Sequence, residues 1–370
     1  MKQELFSKEL DRWLKTGGDK TLGGLTSLFG EKSFAIIFLL LMALPALRAV
    51  RHAWPDAWLA LAAMPSIAPV FEEHTDARPQ QIIALDKTRE AAQLQEGSFV
   101  AVLLLTNSFR TAWTARRSGI ARRWGYATSG RGPLLTTAVP RPRRAVHQMA
   151  YYLELVRGLG IGAPTAGESR GAEDAPPSAE SRIVIDGITR QRARRLLTDA
   201  GLTPGSTIVG FAPGAAYGHA KRWPPDRVAQ VVARLAGERQ AGCLLVGAAG
   251  DREAGREIES TLPPGVGVVN LIGRTDLRLL MGVLAECRAF VSNDSGAMHL
   301  AAAVGVPVTA IFGPTNEGAT APIGDHDVIL QQVFCRPCML RECPIDHRCM
   351  KRISVEQVYN AVVRRIERHA

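Results

Sequence analysis

The chain has 370 residues, 46% hydrophobic and 22% charged, which suits two globular domains with separate cores and excludes a disordered or fibrous chain. Aromatics, at 6%, are too few to advertise a base-stacking surface, and the formal charge of +10 favours anionic partners: nucleotides, phosphorylated sugars or lipids, nucleic acid, or an anionic membrane face.

Residues 1–32 are polar, punctuated by Gly17–Gly18 and Gly23–Gly24, and read as an N-terminal extension. An apolar run that starts only after these residues, with no small-residue cleavage site, is not a signal peptide, so a cytoplasmic location is expected. That run, SFAIIFLLLMALPALRAV (33–50), holds fourteen successive apolar residues from Phe34 to Leu47, short of the roughly 20 that span a bilayer. It reads as the buried first βα unit, with the helix over 42–50.

AWLALAAM (57–64), QQIIALD (80–86) and SFVAVLLLT (98–106) read as buried strands, and FRTAWTARRSG (109–119) as the following helix. Arginines then crowd the stretch 116–144, either a solvated face or an anion-binding one. HQMAYYLELVRGLG (147–160) carries apolar residues at helical steps. The stretch 163–181, rich in Pro, Gly, Ser and acids, is the best domain boundary.

Beyond it TIVGFAP, AGCLLVGA, GVGVVNLIG, CRAFVSND and VPVTAIFGP are strand-like and alternate with helical stretches at 224–238, 251–262, 275–286 and 295–305, before an amphipathic helix near 353–370. Repeated βα units imply parallel sheets with helices on both faces. The predicted organisation is therefore an extension (1–32), a Rossmann-like domain (33–162), a linker (163–182), a second Rossmann-like domain (183–350) and a closing helix (351–370). Such folds bind ligands at the C-terminal ends of their strands.

Three loops in the second half carry chemistry. In GFAPGAAYGHAKRWP (210–224) a strand ends before small residues, led by Gly214, that let backbone amides approach a ligand. Lys221 and Arg222 then sit beside a helix start, a good place for phosphate. In FVSNDSGAMHLAAA (290–303) the amides of Ser295, Gly296 and Ala297 open a helix, with Asp294 before them and His299 one turn in. Asp294 has an alternative role as N-cap, and His299 as a core residue. In VGAAGDREAG (246–255) Asp251 or Glu253 follows a strand, where an acid accepts from ribose hydroxyls or simply complements the helix dipole. Together the loops suggest a nucleoside diphosphate.

These motifs, with MALPALRAVRHAWPDA, TNSFRTAW and RRWGYATSGRGPLLT, resemble the lipopolysaccharide heptosyltransferases of glycosyltransferase family 9, above all their type II branch, over residues 42 to the C-terminus. The resemblance implies an α/β fold of GT-B type, two Rossmann-like domains facing across a cleft, and an inverting transfer that requires no cofactor. The implied donor is ADP-L-glycero-D-manno-heptose, held by the C-terminal domain. The implied acceptor is the lipid A core, held by the N-terminal domain with Asn107 and Ser108, with peripheral contact at the inner face of the inner membrane and no nucleic acid involved. Carried over residue by residue, Lys221 neutralises departing phosphate, Ser295, Gly296 and Ala297 hold the pyrophosphate beside His299, Asp294 contacts the heptose or its own loop, and Asp251 faces the ribose beside Gly214.

One departure stands out. The family's general base is an Asp six residues before the Pro of the first helix, preceded by Gly; here Pro45 puts Leu39 and Phe38 at those positions. No acid lies between Phe34 and Val50, and Glu31 is eight residues from the expected place. The segment TLGGLTSLFGEKSFAIIFLLL resembles instead the start of ExoD-type exopolysaccharide-synthesis membrane proteins. A catalytically impaired homologue that keeps its ADP-sugar pocket is thus the alternative expectation.

Finally, CRPCMLRECPIDHRC places Cys335, Cys338, Cys343 and Cys349 at short spacing, with His347 to spare. Four such thiols suit a structural metal site, zinc or an iron–sulfur cluster, or reduced thiols; the spacing departs from a zinc knuckle. Cys243 and Cys287 sit singly in apolar surroundings and read as core residues.

Overall fold

The computed structural model describes residues 40–161, 182–203, 205–215 and 218–368. These fall into two compact units, and 42–161 and 182–368 are the described parts considered below. The positions of Phe38 and Leu39, and the strand expected around them, lie outside the described residues.

The first unit opens with α1 (Leu44–Ala53), where Pro45 occupies the first turn and Leu44, Ala46, Leu47 and Val50 form the buried face. The helix expected over 42–50 is present, shifted toward its C-terminus. Two strands, β1 (Ala60–Ala63) and β2 (Gln81–Ala84), pair in parallel. The helix α2 (Glu90–Glu96) leads to β3 (Ala101–Leu104), α3 (Phe109–Arg117), β4 (Arg122–Tyr126) and β5 (Thr137–Val139). β3, β4 and β5 form a parallel sheet in that order. The unit ends with α4 (Gln148–Gly158), which buries Tyr151, Tyr152, Leu153, Leu155 and Val156.

The second unit is a parallel α/β domain. Its elements are α5 (Gly187–Asp199), β6 (Ile208–Ala212), α6 (Pro225–Arg239), β7 (Gly242–Leu245), α7 (Arg252–Thr261), β8 (Val269–Asn270), α8 (Leu277–Ala285), β9 (Ala289–Asn293), α9 (Gly296–Ala303), β10 (Val308–Phe312), β11 (His326–Leu330) and α10 (Val355–Arg368). The sheet order is β8-β7-β6-β9-β10-β11, with every neighbouring pair parallel. The sequence order therefore reverses between β6 and β9, a topological switch point, and that is where a doubly wound sheet opens a crevice beyond its strand ends. β6, β9 and β10 are buried throughout, which explains their unbroken apolar sequences.

The amphipathic α10 closes one face by packing Val358, Tyr359, Val362 and Val363 into the same core as Val228, Val231, Val232 and Leu235 of α6. Arg234 lies 3.7 Å over the Tyr359 ring and pairs with Glu238 and Glu356 around it. Among the described residues no helix is long and apolar enough to cross a membrane.

Candidate functional site

The two loops at the switch point of the second unit converge, as their sequences suggested. After β6 the chain passes through Pro213 and Gly214 to a short 3-10 turn, His219–Lys221, and enters α6 past the fully buried Trp223. After β9 it turns at Asp294 and Ser295 into α9. Lys221 Nζ sits 2.6 Å from Asp294 Oδ2, although 73 residues separate them, and both side chains are largely buried.

Burial alone would raise the Asp294 carboxyl, but the charge and hydrogen bond of Lys221, with Thr315 and His299 adding to them, hold it below the usual carboxylate range. Asp294 is therefore an anion committed to Lys221. The N-cap position of α9 belongs to Ser295, whose hydroxyl pairs with Ser292 Oγ at 3.1 Å and makes no capping bond. With no side-chain cap, the first amides of α9, including Gly296 and Ala297, point along the positive end of the helix as donors for an anion. His299 follows one turn later, buried, close enough to Asp294 to act on its charge.

Asn293 is the site residue that sequence reasoning passed over. Its buried amide donates to Pro213 O at 2.7 Å, and its Oδ1 accepts the Trp223 amide at 3.1 Å. One side chain thus staples both ends of the Lys221 loop to β9. The sequence signal was a pair of polar residues, Ser292 and Asn293, closing an apolar buried strand.

Asp251 also has a more specific place than the sequence implied. Its Oδ2 accepts the Ala248 amide at 3.1 Å and its Oδ1 faces Arg222 Nη2 at 3.4 Å. A Cβ added to Gly214 would stand 2.1 Å from this carboxylate, so Gly214 is required for the two loops to pack. Asp251 clamps the β6 and β7 loops together, whereas Glu253 lies exposed on the first turn of α7.

The cysteine segment follows β11 and lies against the same loops. The Arg336 guanidinium, nearly buried, donates to Gly313 O at 2.8 Å and Thr315 O at 3.1 Å and pairs with Glu317. Arg341 O accepts the Ala220 amide at 3.0 Å, next to Lys221. Gly218, with φ 145°, allows this approach, since a Cβ there would lie 2.4 Å from Arg341 O. Cys349 is buried, and burial, then the neighbouring Cys338, Cys335 and Cys343, push its thiol up. Among the described residues, no group of three or more His, Cys, Asp or Glu side chains is placed to hold a metal ion.

In the first unit the loop after β3 carries Asn107 and Ser108. Ser108 is the N-cap of α3, accepting the Thr111 amide at 3.3 Å, so its hydroxyl already has a structural partner. Asn107 Oδ1 accepts the Tyr151 hydroxyl at 3.2 Å, and Asn107 O accepts from Thr128 Oγ1 at 3.2 Å. The fully buried Arg131 donates to Tyr126 O at 2.9 Å and to Thr106 O, fixing the same edge of the sheet. Part of the basic stretch 116–144 is therefore spent on the unit's own carbonyls.

Comparison with known proteins matches residues 88–348 to the family described as glycosyltransferase family 9 (heptosyltransferase). Lipopolysaccharide heptosyltransferase 2 of Salmonella typhimurium is 30% identical over 251 residues, 67% of this chain and 69% of that one. Lipooligosaccharide heptosyltransferase 2 of Haemophilus influenzae is 41% identical over 128 residues, 34% of this chain and 37% of that one. The solved structure of the Escherichia coli ADP-heptose lps heptosyltransferase II has a TM-score of 0.75 at 24% identity, covering 90% of this chain and 96% of that one. A Veillonella parvula glycosyl transferase family 9 structure also gives 0.75, at 20% identity. The α/β fold is thus the one expected, that of the GT-B-type heptosyltransferases.

Proposed function

The chain belongs to glycosyltransferase family 9, and we propose that it moves L-glycero-D-manno-heptose from ADP-heptose to the heptosyl-Kdo inner core of lipopolysaccharide, inverting the anomeric carbon. The observation that carries this reading is the buried Lys221–Asp294 pair beside the uncapped N-terminus of α9, at the switch point of a parallel sheet.

In the reaction an acceptor hydroxyl oxygen bonds to the anomeric carbon and gives up its proton to a base or to solvent water, while the bond from that carbon to the β-phosphate oxygen breaks, its electron pair leaving with ADP. The charge that develops on the phosphate falls to Lys221 and to the amides of Ser295, Gly296 and Ala297. Fixed donors of this kind need no reorganisation as the charge appears, which is where the largest rate gains arise. Asp294 holds Lys221 and lies where it meets the heptose. Asp251 keeps the loop at Gly214 open to the nucleoside, and no cofactor is required. The C-terminal unit is the donor domain and the N-terminal unit, with Asn107 and Ser108, the acceptor domain. The enzyme works in the cytoplasm at the inner face of the inner membrane.

Calorimetry with ADP and ADP-heptose, and mass spectrometry of a mono-heptosylated core acceptor, test this reading; absence of ADP affinity in the intact chain would refute it. A second reading is favoured by one observation: Leu39 occupies the position where the family pattern requires the general base. Loss of such a base removes about 10²–10⁴ in rate. The chain would then bind ADP-heptose and turn it over at a small fraction of the usual rate.

A further inference from the structure

The helix α3 has its large and small side chains on unexpected sides. Ala112 and Ala115 are fully buried, while Phe109 and Trp113 are 47% and 46% exposed. They stand one turn apart on the outer face, their rings stacked with centroids 6.4 Å apart and an interplanar angle of 14°. Leaving two aromatic rings in water forgoes most of the burial they offer, so a face built this way calls for a partner.

The surroundings say which kind. Arg116 and Arg117 end the helix exposed, Arg122 is exposed just beyond, and among the described residues none of the three has an acidic partner. The stretch 116–144 contains eight arginines and no acid. Aromatic rings flanked by unneutralised arginines are the composition of a helix that lies in a lipid headgroup layer: the rings enter the interface while the guanidinium groups meet anionic headgroups. The helix is nine residues long, enough for shallow, reversible contact.

We infer that the outer face of α3, with Phe109, Trp113, Arg116, Arg117 and Arg122, docks the protein on an anionic lipid surface. The helix starts at Ser108, at the C-terminal end of β3, the strand end where ligands of such sheets bind. Docking there brings the Asn107 loop to the headgroup layer. The role of the contact rests on the proposed reading that the acceptor is lipid-borne; the contact itself does not.

The test uses the full chain and co-sedimentation with vesicles, either phosphatidylglycerol-containing or pure phosphatidylcholine. Binding is expected on the anionic vesicles alone and should weaken steeply as salt rises from about 0.05 to about 0.3 M. The variant Phe109→Ala/Trp113→Ala should lose at least about tenfold in partitioning. Arg116→Glu/Arg117→Glu should lose at least about 25-fold, at roughly fivefold per charge. ADP affinity, unchanged in both, shows that the donor unit remains folded. Absence of wild-type binding, equal binding to both vesicle types, or variants that bind like wild type would each overturn the inference. So would a loss of self-association in the aromatic variant with no vesicle binding in either protein, which assigns the face to a second copy. Failure of the transferase reading is separate: it shows as no heptose transfer even to a delipidated core acceptor, whatever the vesicles report.

Discussion

Replacing Lys221 with Met keeps the aliphatic stem but removes the charge from a nearly buried pair, leaving Asp294 as a buried anion without its counter-ion. Removing one partner of a buried pair typically costs about 3–5 kcal/mol. At about 2–4 °C per kcal/mol for a unit of this size, the thermal midpoint of the second unit should fall by roughly 6–20 °C. The pH dependence should change sign as well. In the wild type the Asp294 carboxyl lies below its ordinary value, so its stabilisation is complete above the unfolded value of about 3.9 and is lost as pH falls through the folded one. In Lys221→Met burial becomes the dominant influence and raises the carboxyl. The deficit should then be largest near neutral pH and shrink as acid protonates the group. Adding Asp294→Asn should restore much of the stability but none of the ligand affinity, because the lost phosphate contact, worth about 1.5–3 kcal/mol, weakens ADP binding by roughly 10–150-fold. Calorimetric melting between pH 5 and 8 and ADP titration of the three variants measure both effects. A single variant that melts within about 2 °C of wild type, or a double variant with no recovery, would refute the reasoning.

Three further outcomes are expected. Phe38→Gly combined with Leu39→Asp should raise turnover by at least about 100-fold while leaving the ADP dissociation constant unchanged, measured by product formation beside calorimetry. Gly214→Ala should cost about 1–3 kcal/mol and weaken ADP binding, because its Cβ would lie 2.1 Å from the Asp251 carboxylate; removing that carboxylate with Asp251→Ala should relieve the stability loss in a thermal melt. In a thiol titration at pH 8, the partly exposed Cys335, Cys338 and Cys343 should react in the native protein, whereas Cys243 and Cys287, pushed up to about 12 by burial, should react only on unfolding. Thiols at 335–349 that became reactive only after a chelator would show a bound metal instead.

The parts of the fold legible in the sequence are those where one face, or both, must be apolar. The strands β6, β7, β9 and β10 read as continuous apolar runs because helices cover both sides of the sheet. The sequence pattern β4, RRWGY, looks like part of a basic loop, since Arg123 uses its guanidinium on the carbonyls of Ile120, Ala121 and Leu134 rather than facing solvent. β11, HDVIL, is half-buried at the sheet edge and carries no strong alternation, and α5, rich in arginine, has only a narrow buried stripe at Thr189, Ala193 and Leu197. Both phosphate-type loops were visible from small residues, cations and helix starts. That Lys221 pairs with Asp294, or that Asn293 holds the Lys221 loop, depends on β6 and β9 becoming neighbours, a fact of topology that spacing along the chain does not contain.

On the proposed reading, the same topology makes donor binding and acceptor chemistry separable. The Lys221 loop is held from three sides: by Asn293 from β9, by Asp251 through Arg222 from the β7 loop, and by the Arg341 carbonyl from the cysteine segment. Every one of these restraints is supplied by a residue of the second unit between 213 and 341. On the proposed reading, Leu39 should therefore affect proton removal from the acceptor and leave ADP affinity unchanged. On that reading the second unit holds the diphosphate, and the chemistry that separates the two readings is the removal of a single proton.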